Sequence, residues 1–205
     1  NRVRRQRQMC IRDSLYCEHC GYPQKTCICS HINTVDTSLE IVIIQHEKEA
    51  LHAKNTARLV SLCIPSTRII LANDVVAMQS LSEHCSRRHS VLVYPSECST
   101  PIENVDAVAR SEITTLILID GSWKQAFGLV KQNPWLTKLP AFHFISAPTS
   151  NYAIRHTTLS NALSTLEATA YALQCLDQID VSGLYRAQTA LQDKWQGPMS
   201  HRRHF

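Results

Sequence analysis

Short, unbroken apolar runs alternate along this chain with stretches in which apolar residues return every three or four positions. The run Leu39-Glu40-Ile41-Val42-Ile43-Ile44 is brief and β-branched, and predicts a strand. From Asn55 to Cys63 the spacing of Ala57, Val60 and Leu62 predicts a helix that stops before Pro65. The unit then repeats, with Arg68-Ile69-Ile70-Leu71 as a strand and Asp74 placed to cap a helix through Val75, Met78 and Leu81. Three further runs follow: Val91-Leu92-Val93-Tyr94 ends at Pro95, Thr115-Leu116-Ile117-Leu118-Ile119 ends at Asp120-Gly121, and Phe142-His143-Phe144-Ile145 ends at Ser146-Ala147-Pro148. Five strands are expected. Two amphipathic helices close the chain, one with the face Leu159, Leu163, Leu166, Ala170 and Leu173, the other with Leu184, Ala187, Leu191 and Trp195.

Unbroken apolar runs belong to strands covered on both faces, whereas half-exposed strands alternate. The expected class is therefore α/β, a mostly parallel sheet with helices on both faces. The 205 residues suffice for one such domain with an appendage and are too few for two full-sized domains. Hydrophobic residues at 44% exclude a disordered chain. No apolar run approaches the roughly 20 residues of a bilayer crossing, so no membrane partner is expected. The Arg-rich opening is followed by no hydrophobic stretch of the signal-peptide kind, and a cytoplasmic location is expected.

The formal charge of +4 comes from 21 basic and 17 acidic residues. Arg2, Arg4, Arg5 and Arg7 lie in the first eight positions without an acid, so the whole excess sits there and net charge says nothing about the domain. Met9-Cys10-Ile11-Arg12-Asp13-Ser14 resembles a translated sequencing-library adaptor. Residues 1–14 are accordingly set aside as a basic tail, and Cys10 is not counted as a ligand. Arg87-Arg88, Lys124, Lys131 and Arg202-Arg203 are the local basic patches left for binding nucleic acid.

Nine cysteines is an odd number and argues against a pure disulfide framework. Cys17-x-x-Cys20 and Cys27-x-Cys29 put four thiols within 13 positions, with Gly21 and Pro23 turning the chain between them. Four thiolates complete a tetrahedral Zn²⁺ shell, so residues 15–36 are expected to form a small N-terminal four-cysteine zinc knuckle of structural type. His19 could replace one thiol, and a redox dithiol would not need two adjacent pairs. Cys63, Cys85, Cys98 and Cys175 are expected to be buried small hydrophobes.

Ligands of open parallel sheets bind outside the carboxyl ends of the strands. Three ends carry polar and aromatic residues: Tyr94-Pro95-Ser96-Glu97, Asp120-Gly121-Ser122-Trp123, and the loop after Ile145 with Asn151, Tyr152, Arg155, His156, Thr157 and Thr158. A carboxylate, a glycine, a hydroxyl and an aromatic face within four positions can hold an amino-acid moiety and stack a ring. On a competing reading, Asp120 or Ser122 caps the helix starting near Trp123, and Trp123 packs in the core. His46-Glu47 and His52 lack the one-turn spacing of a metalloprotease, and there is no Gly-rich phosphate loop.

In their order and spacing these motifs resemble the DTW-domain family of tRNA-uridine aminocarboxypropyltransferases. The resemblance rests on Cys17, Cys20, Cys27 and Cys29; His46 with Asn55-Thr56-x-Arg58; Tyr94-Pro95-Ser96; Asp120-Gly121-Ser122-Trp123; and Tyr152-x-x-Arg155 with Ser164-Thr165-Leu166-Glu167-Ala168. It covers most of the chain, and it departs from the family's usual pattern in having Ser122 where Thr is common. It implies a SPOUT-like domain over residues 37–197 with a C-terminal trefoil knot, and a tail at 198–205. It also implies an enzyme that moves the 3-amino-3-carboxypropyl group of S-adenosylmethionine to nitrogen 3 of a tRNA uridine, leaving methylthioadenosine.

Carried onto this sequence, the resemblance implies that Tyr94, Pro95, Ser96, Asp120, Gly121, Ser122, Trp123, Tyr152, Thr165 and Glu167 contact S-adenosylmethionine. The catalytic candidates are Asp120, Trp123 and Arg155. Asp120 would accept the uracil imide proton or hold the donor ammonium, Arg155 would bind the donor carboxylate or an RNA phosphate, and Trp123 would stack on adenine or shape the pocket. Glu167, on a buried-looking helix, needs a partner. The expected partners are tRNA and S-adenosylmethionine, with a monomer favoured over an oligomer. Two alternatives remain open: a SPOUT-type RNA methyltransferase, and a non-catalytic zinc-containing RNA-binding module.

Overall fold

The computed structural model describes residues 16–52, 54–154 and 162–195. Its regular elements are β1 (Glu40–Gln45), α1 (Glu47–Ala50), α2 (Thr56–Cys63), β2 (Arg68–Leu71), α3 (Val75–Cys85), β3 (Ser90–Val93) and β4 (Thr100–Pro101). There follow α4 (Ala107–Glu112), β5 (Thr115–Asp120), α5 (Trp123–Gln132), β6 (Ala141–His143), α6 (Thr165–Leu176) and α7 (Ser182–Asp193). The five expected strands are present. The sixth, β4, is a two-residue edge strand ending in Pro101, where a missing N–H costs no ladder bond.

The sheet has the order β2-β1-β5-β3-β6-β4, and every neighbouring pair is parallel. Along β1 the residues divide strictly between two cores. Ile41 and Ile43 pack with α2, α6 and α7, while Val42 and Ile44 pack with α3 and α5. All four are fully buried, which is why this strand reads as one apolar run. At about 1.5–3 kcal/mol for each fully buried aliphatic side chain, these two layers supply most of the drive to fold.

The helix starts follow local chemistry. Asn55 caps α2, with Oδ1 accepting the Arg58 N–H at 3.1 Å, and Asp74 caps α3 by accepting the Ala77 N–H at 3.0 Å. Residue Ser164 opens α6 with a full capping box: its Oγ accepts the Glu167 N–H, and Glu167 Oε2 accepts the Ser164 N–H at 2.7 Å. That cap corrects the helix expected to carry Leu163, which precedes the first turn; Leu159 lies outside the described residues.

The cysteine-rich segment is not an independent appendage. Cys20, Tyr22 and Ile28 belong to the same apolar cluster as Leu166 and Leu184. Tyr22 Oη donates to the Asn55 carbonyl at 3.3 Å, the Arg58 guanidinium lies 5.3 Å from the Tyr22 ring centroid and donates to the Gly21 carbonyl, and Lys194 donates to the Cys27 carbonyl. Gly21 has φ of 69°, a left-handed conformation that favours glycine.

Of the scattered cysteines, Cys63 and Cys85 are buried as expected and Cys175 is half-buried. Cys98 is a correction: it is exposed in the loop between β3 and β4, on neither a strand nor a helix that would turn it into the core. Among the described residues no helix is long and apolar enough to cross a membrane. The expected knot depends on the path between β6 and α6, and residues 155–161 of that path lie outside the described residues. So do the suspected adaptor segment with Cys10, and Arg202-Arg203.

Candidate active site and metal cluster

A cleft of about 830 Å³ opens at the carboxyl ends of β5, β3 and β6, within the size range of small-molecule sites. Its floor is formed by Val93, Leu118 and Phe142, and one wall by Gly121, Ser122 and Trp123. The opposite wall is the loop 144–150 together with the residues before α6. A second cavity, of about 620 Å³, lies at the amino ends of the strands, around Ser90, Trp135 and Phe142. Parallel sheets bind ligands at the other end, and all three polar strand ends lead to the first cleft.

The Asp120-Gly121-Ser122-Trp123 segment divides its work. Ser122 caps α5, with Oγ accepting the Gln125 N–H and Gln125 Oε1 accepting the Ser122 N–H at 2.6 Å. Gly121 lets this turn close against its neighbours, since a Cβ there would lie 3.2 Å from Gln125 Cβ and 3.5 Å from His46 Cβ. Trp123 is 50% exposed at the cleft mouth, so it does not pack in the core. Asp120 is 2% exposed and is absent from the cleft lining. Its carboxylate accepts Gln45 Nε2 at 2.8 Å and the Thr165 hydroxyl, while its backbone carbonyl accepts the His46 N–H at 2.9 Å. Asp120 thus ties β1, β5 and the first residue of α6 together beneath the cleft.

Glu167 plays a similar part. Its buried carboxylate accepts the Ser150 hydroxyl at 2.7 Å, the Asn151 N–H at 2.8 Å, the Ser164 N–H and Gln188 Nε2 at 3.0 Å. One acid therefore fixes the cleft loop, the α6 cap and α7, which supplies the partners a buried carboxylate requires. Tyr152 is 2% exposed, and its hydroxyl donates to the Lys54 carbonyl at 2.8 Å, so it anchors the loop with only an edge toward the cleft.

Of the other expected contacts, Tyr94, Pro95 and Thr165 line the cleft. Ser96 instead closes a turn, its N–H donating to Ser99 Oγ at 2.9 Å. Arg155 lies outside the described residues.

Nothing in the sequence pattern singles out Glu103, which follows β4. Its Oε1 accepts the Ile145 and Ser146 N–H groups, both at 3.0 Å, and the Tyr171 hydroxyl at 2.9 Å, pinning the cleft loop from outside. Burial pushes this carboxyl up, but those donors outweigh it and hold the group below the usual range. His143 reads in the sequence as filler in an apolar run, yet it lines the cleft.

The four thiols converge. Cys17 and Cys29 sulfurs are 3.5 Å apart, Cys20 and Cys27 sulfurs 3.8 Å, and all four lie within 4.8 Å of one another. Four Zn–S bonds of about 2.3 Å require tetrahedral edges of about 3.8 Å, so the donor set fits such an ion and can hold zinc. The backbone N–H groups of Cys20 and His19, with neighbouring thiols, draw the Cys17 thiol down to about 6, while burial and the neighbouring thiols push the Cys29 thiol up to about 12, so without an ion the first proton leaves the cluster readily and a later one does not.

The family model for the DTW domain matches residues 14–200. The chain belongs to the DTW-domain family. Among curated relatives of this DTW-domain chain, "tRNA-uridine aminocarboxypropyltransferase 2" of Mus musculus is 30% identical over 173 residues, covering 79% of this chain and 56% of the relative. The protein of the same name from Drosophila melanogaster is 31% identical over 168 residues, covering 78% and 66%. The chain therefore spans a little over half to about two thirds of these relatives. No solved structure matches it.

Proposed function

We propose that this chain transfers the 3-amino-3-carboxypropyl group of S-adenosylmethionine to nitrogen 3 of a uridine in tRNA, releasing methylthioadenosine. The observation that carries this reading is the cleft at the strand ends, walled by the Gly121-Ser122-Trp123 and Ser164-Thr165 segments in a chain of the DTW-domain family. The names of its relatives supply the reaction class.

The amino ends of α5 and α6 both open on the cleft, at Ser122-Trp123 and Ser164-Thr165. Their first-turn N–H groups suit the donor carboxylate. Apolar residues Leu118, Phe142, Ile145 and Pro148 suit the adenine. A sulfonium makes all three attached carbons electrophilic, so the carbon presented to the acceptor decides the product. On this reading the buried carboxylates of Asp120 and Glu167 set that presentation by fixing the two walls, and Arg155 remains the candidate for the donor carboxylate or an RNA phosphate.

The exposed face of α5 suits the acceptor. Trp123 and Phe127 are one turn apart and 50% and 63% exposed, Lys124 and Lys131 are exposed beside them, and the helix has no acidic residue. Aromatic faces flanked by lysines suit unstacked bases and their phosphates. Arg87-Arg88 precede β3, at the end of the sheet away from the cleft, and fit this role less well. Zinc bound by the four thiols would supply structure and no chemistry in the cleft. A cytoplasmic monomer belongs to the same reading.

Incubation of the chain with S-adenosylmethionine and unmodified tRNA tests it. Methylthioadenosine is the expected product. S-adenosylhomocysteine would transfer the reading to a methyltransferase, and neither product, with no donor binding, would favour an RNA-binding module.

A further inference from the structure

Alkylation of a uracil imide nitrogen needs its proton removed, and among the described residues no carboxylate lines the cleft. Asp120 is 2% exposed and lies beneath it, each oxygen already accepting one hydrogen bond, from Gln45 and Thr165. Among the described residues the ionisable side chains on the lining are Tyr94, Lys124, His143 and Tyr152. Phenols and alkylammonium groups normally act as donors near neutral pH, and the Tyr152 hydroxyl is already engaged with the Lys54 carbonyl. An imidazole is the side chain suited to accept a proton there.

Its neighbour decides which nitrogen does so. Ser99 Oγ accepts the Ser96 N–H at 2.9 Å and lies 2.7 Å from the Ser96 carbonyl, to which its hydroxyl donates. The only proton of that hydroxyl is thereby used. Ser99 Oγ, 2.9 Å from His143 Nδ1, must then accept from it, which places the ring proton on Nδ1. The Nε2 lone pair is left without a hydrogen-bond partner among the described residues, on a ring that lines the cleft. We infer that His143 Nε2 is the proton acceptor for the uridine imide and that Ser99 is the residue that fixes its tautomer. This rests on the aminocarboxypropyl-transfer reading.

The step balances. The N3 proton passes to His143 Nε2, and the N3 electron pair forms the bond to the donor's side-chain carbon. The carbon–sulfur bond breaks with its pair going to sulfur, turning the sulfonium into the neutral thioether methylthioadenosine. The positive charge moves from sulfur to the imidazolium, which then releases its proton to solvent.

The test is single-turnover and steady-state kinetics of the full chain with saturating S-adenosylmethionine over a range of tRNA concentrations, alongside donor affinity. In His143→Asn the side-chain amide can still donate to Ser99, and the expected result is a fall in rate of about a hundredfold or more with donor affinity and tRNA KM unchanged. Added imidazole should restore part of the rate in His143→Ala. Ser99→Ala should lower kcat about tenfold without changing KM, and Ser99→Thr should recover it. A His143→Asn variant that keeps the wild-type rate overturns the inference. Loss of donor affinity in parallel with rate in both His143 variants does so too, because it assigns the residue to binding. A wild-type chain that releases no methylthioadenosine would instead refute the proposed function itself.

Discussion

Replacing Asp120 should cost the fold before it costs any chemistry. In Asp120→Ala, two buried donors lose their acceptor: Gln45 Nε2, on a residue 3% exposed, and the Thr165 hydroxyl, on one 9% exposed. Hydrogen bonds to a charged group contribute about 1.5–3 kcal/mol each, and the cleft beside Thr165 lets water replace part of its bond. The expected loss is about 4 kcal/mol, a large share of the roughly 5–15 kcal/mol that keeps a domain folded. At about 2–4 °C per kcal/mol for a chain of this size, the melting temperature should fall by about 10 °C. Asp120→Asn is the control. Its amide oxygen can accept the Thr165 hydroxyl, and its NH2 can donate to Gln45 once that amide flips, so only about 1 kcal/mol should be lost. Thermal melts of the three proteins at neutral pH decide it. An alanine variant within a degree or two of wild type, or an asparagine variant as unstable as alanine, would refute the positioning role of Asp120.

Chelation with the thiols kept reduced should shift the unfolding transition of the whole chain downward, because Cys20, Tyr22 and Ile28 are part of the main core; an unshifted transition would speak against structural zinc. Phe127→Ala should weaken tRNA binding about tenfold and leave donor affinity intact, since Phe127 is exposed and outside the cleft lining; unchanged tRNA affinity would remove α5 from the interface. Burial raises Asp177, but the Thr37 and Ser38 hydroxyls and the Ser38 N–H hold its carboxyl below its ordinary value, so its stabilisation is complete above the unfolded carboxylate range and fades as pH falls through the folded pKa. Melts of wild type and Asp177→Asn should therefore differ most at neutral pH and converge below about pH 4, and a gap independent of pH would contradict this.

Much of the architecture was legible because the inner strands are covered on both faces and wear that burial as apolar runs, while edge strand β2 keeps an apolar run although Ile69 and Leu71 are exposed. β4 was not legible: two residues ending in proline leave no run to read. The cap at Ser122 and the buried setting of Glu167 follow from local rules, but the four donors to Glu167 come from three separate segments. Asp120 shows the limit most clearly. Its place at a strand end marked it as part of the site, yet whether it faces the cleft or the scaffold depends on Gln45 and Thr165, which are 75 and 45 residues away. His143 sits in an apolar run whose neighbours are core residues, and only the turn at Ser96–Ser99 reveals its polar role.

What the acceptor gains is the most direct test of aminocarboxypropyl transfer. Unmodified tRNA treated with the full chain and S-adenosylmethionine, then digested to nucleosides and analysed by mass spectrometry, should contain one uridine heavier by an aminocarboxypropyl group, alkylated on the base at nitrogen 3. A uridine heavier by a single methyl group, or no modified nucleoside from a chain that binds the donor, would contradict it.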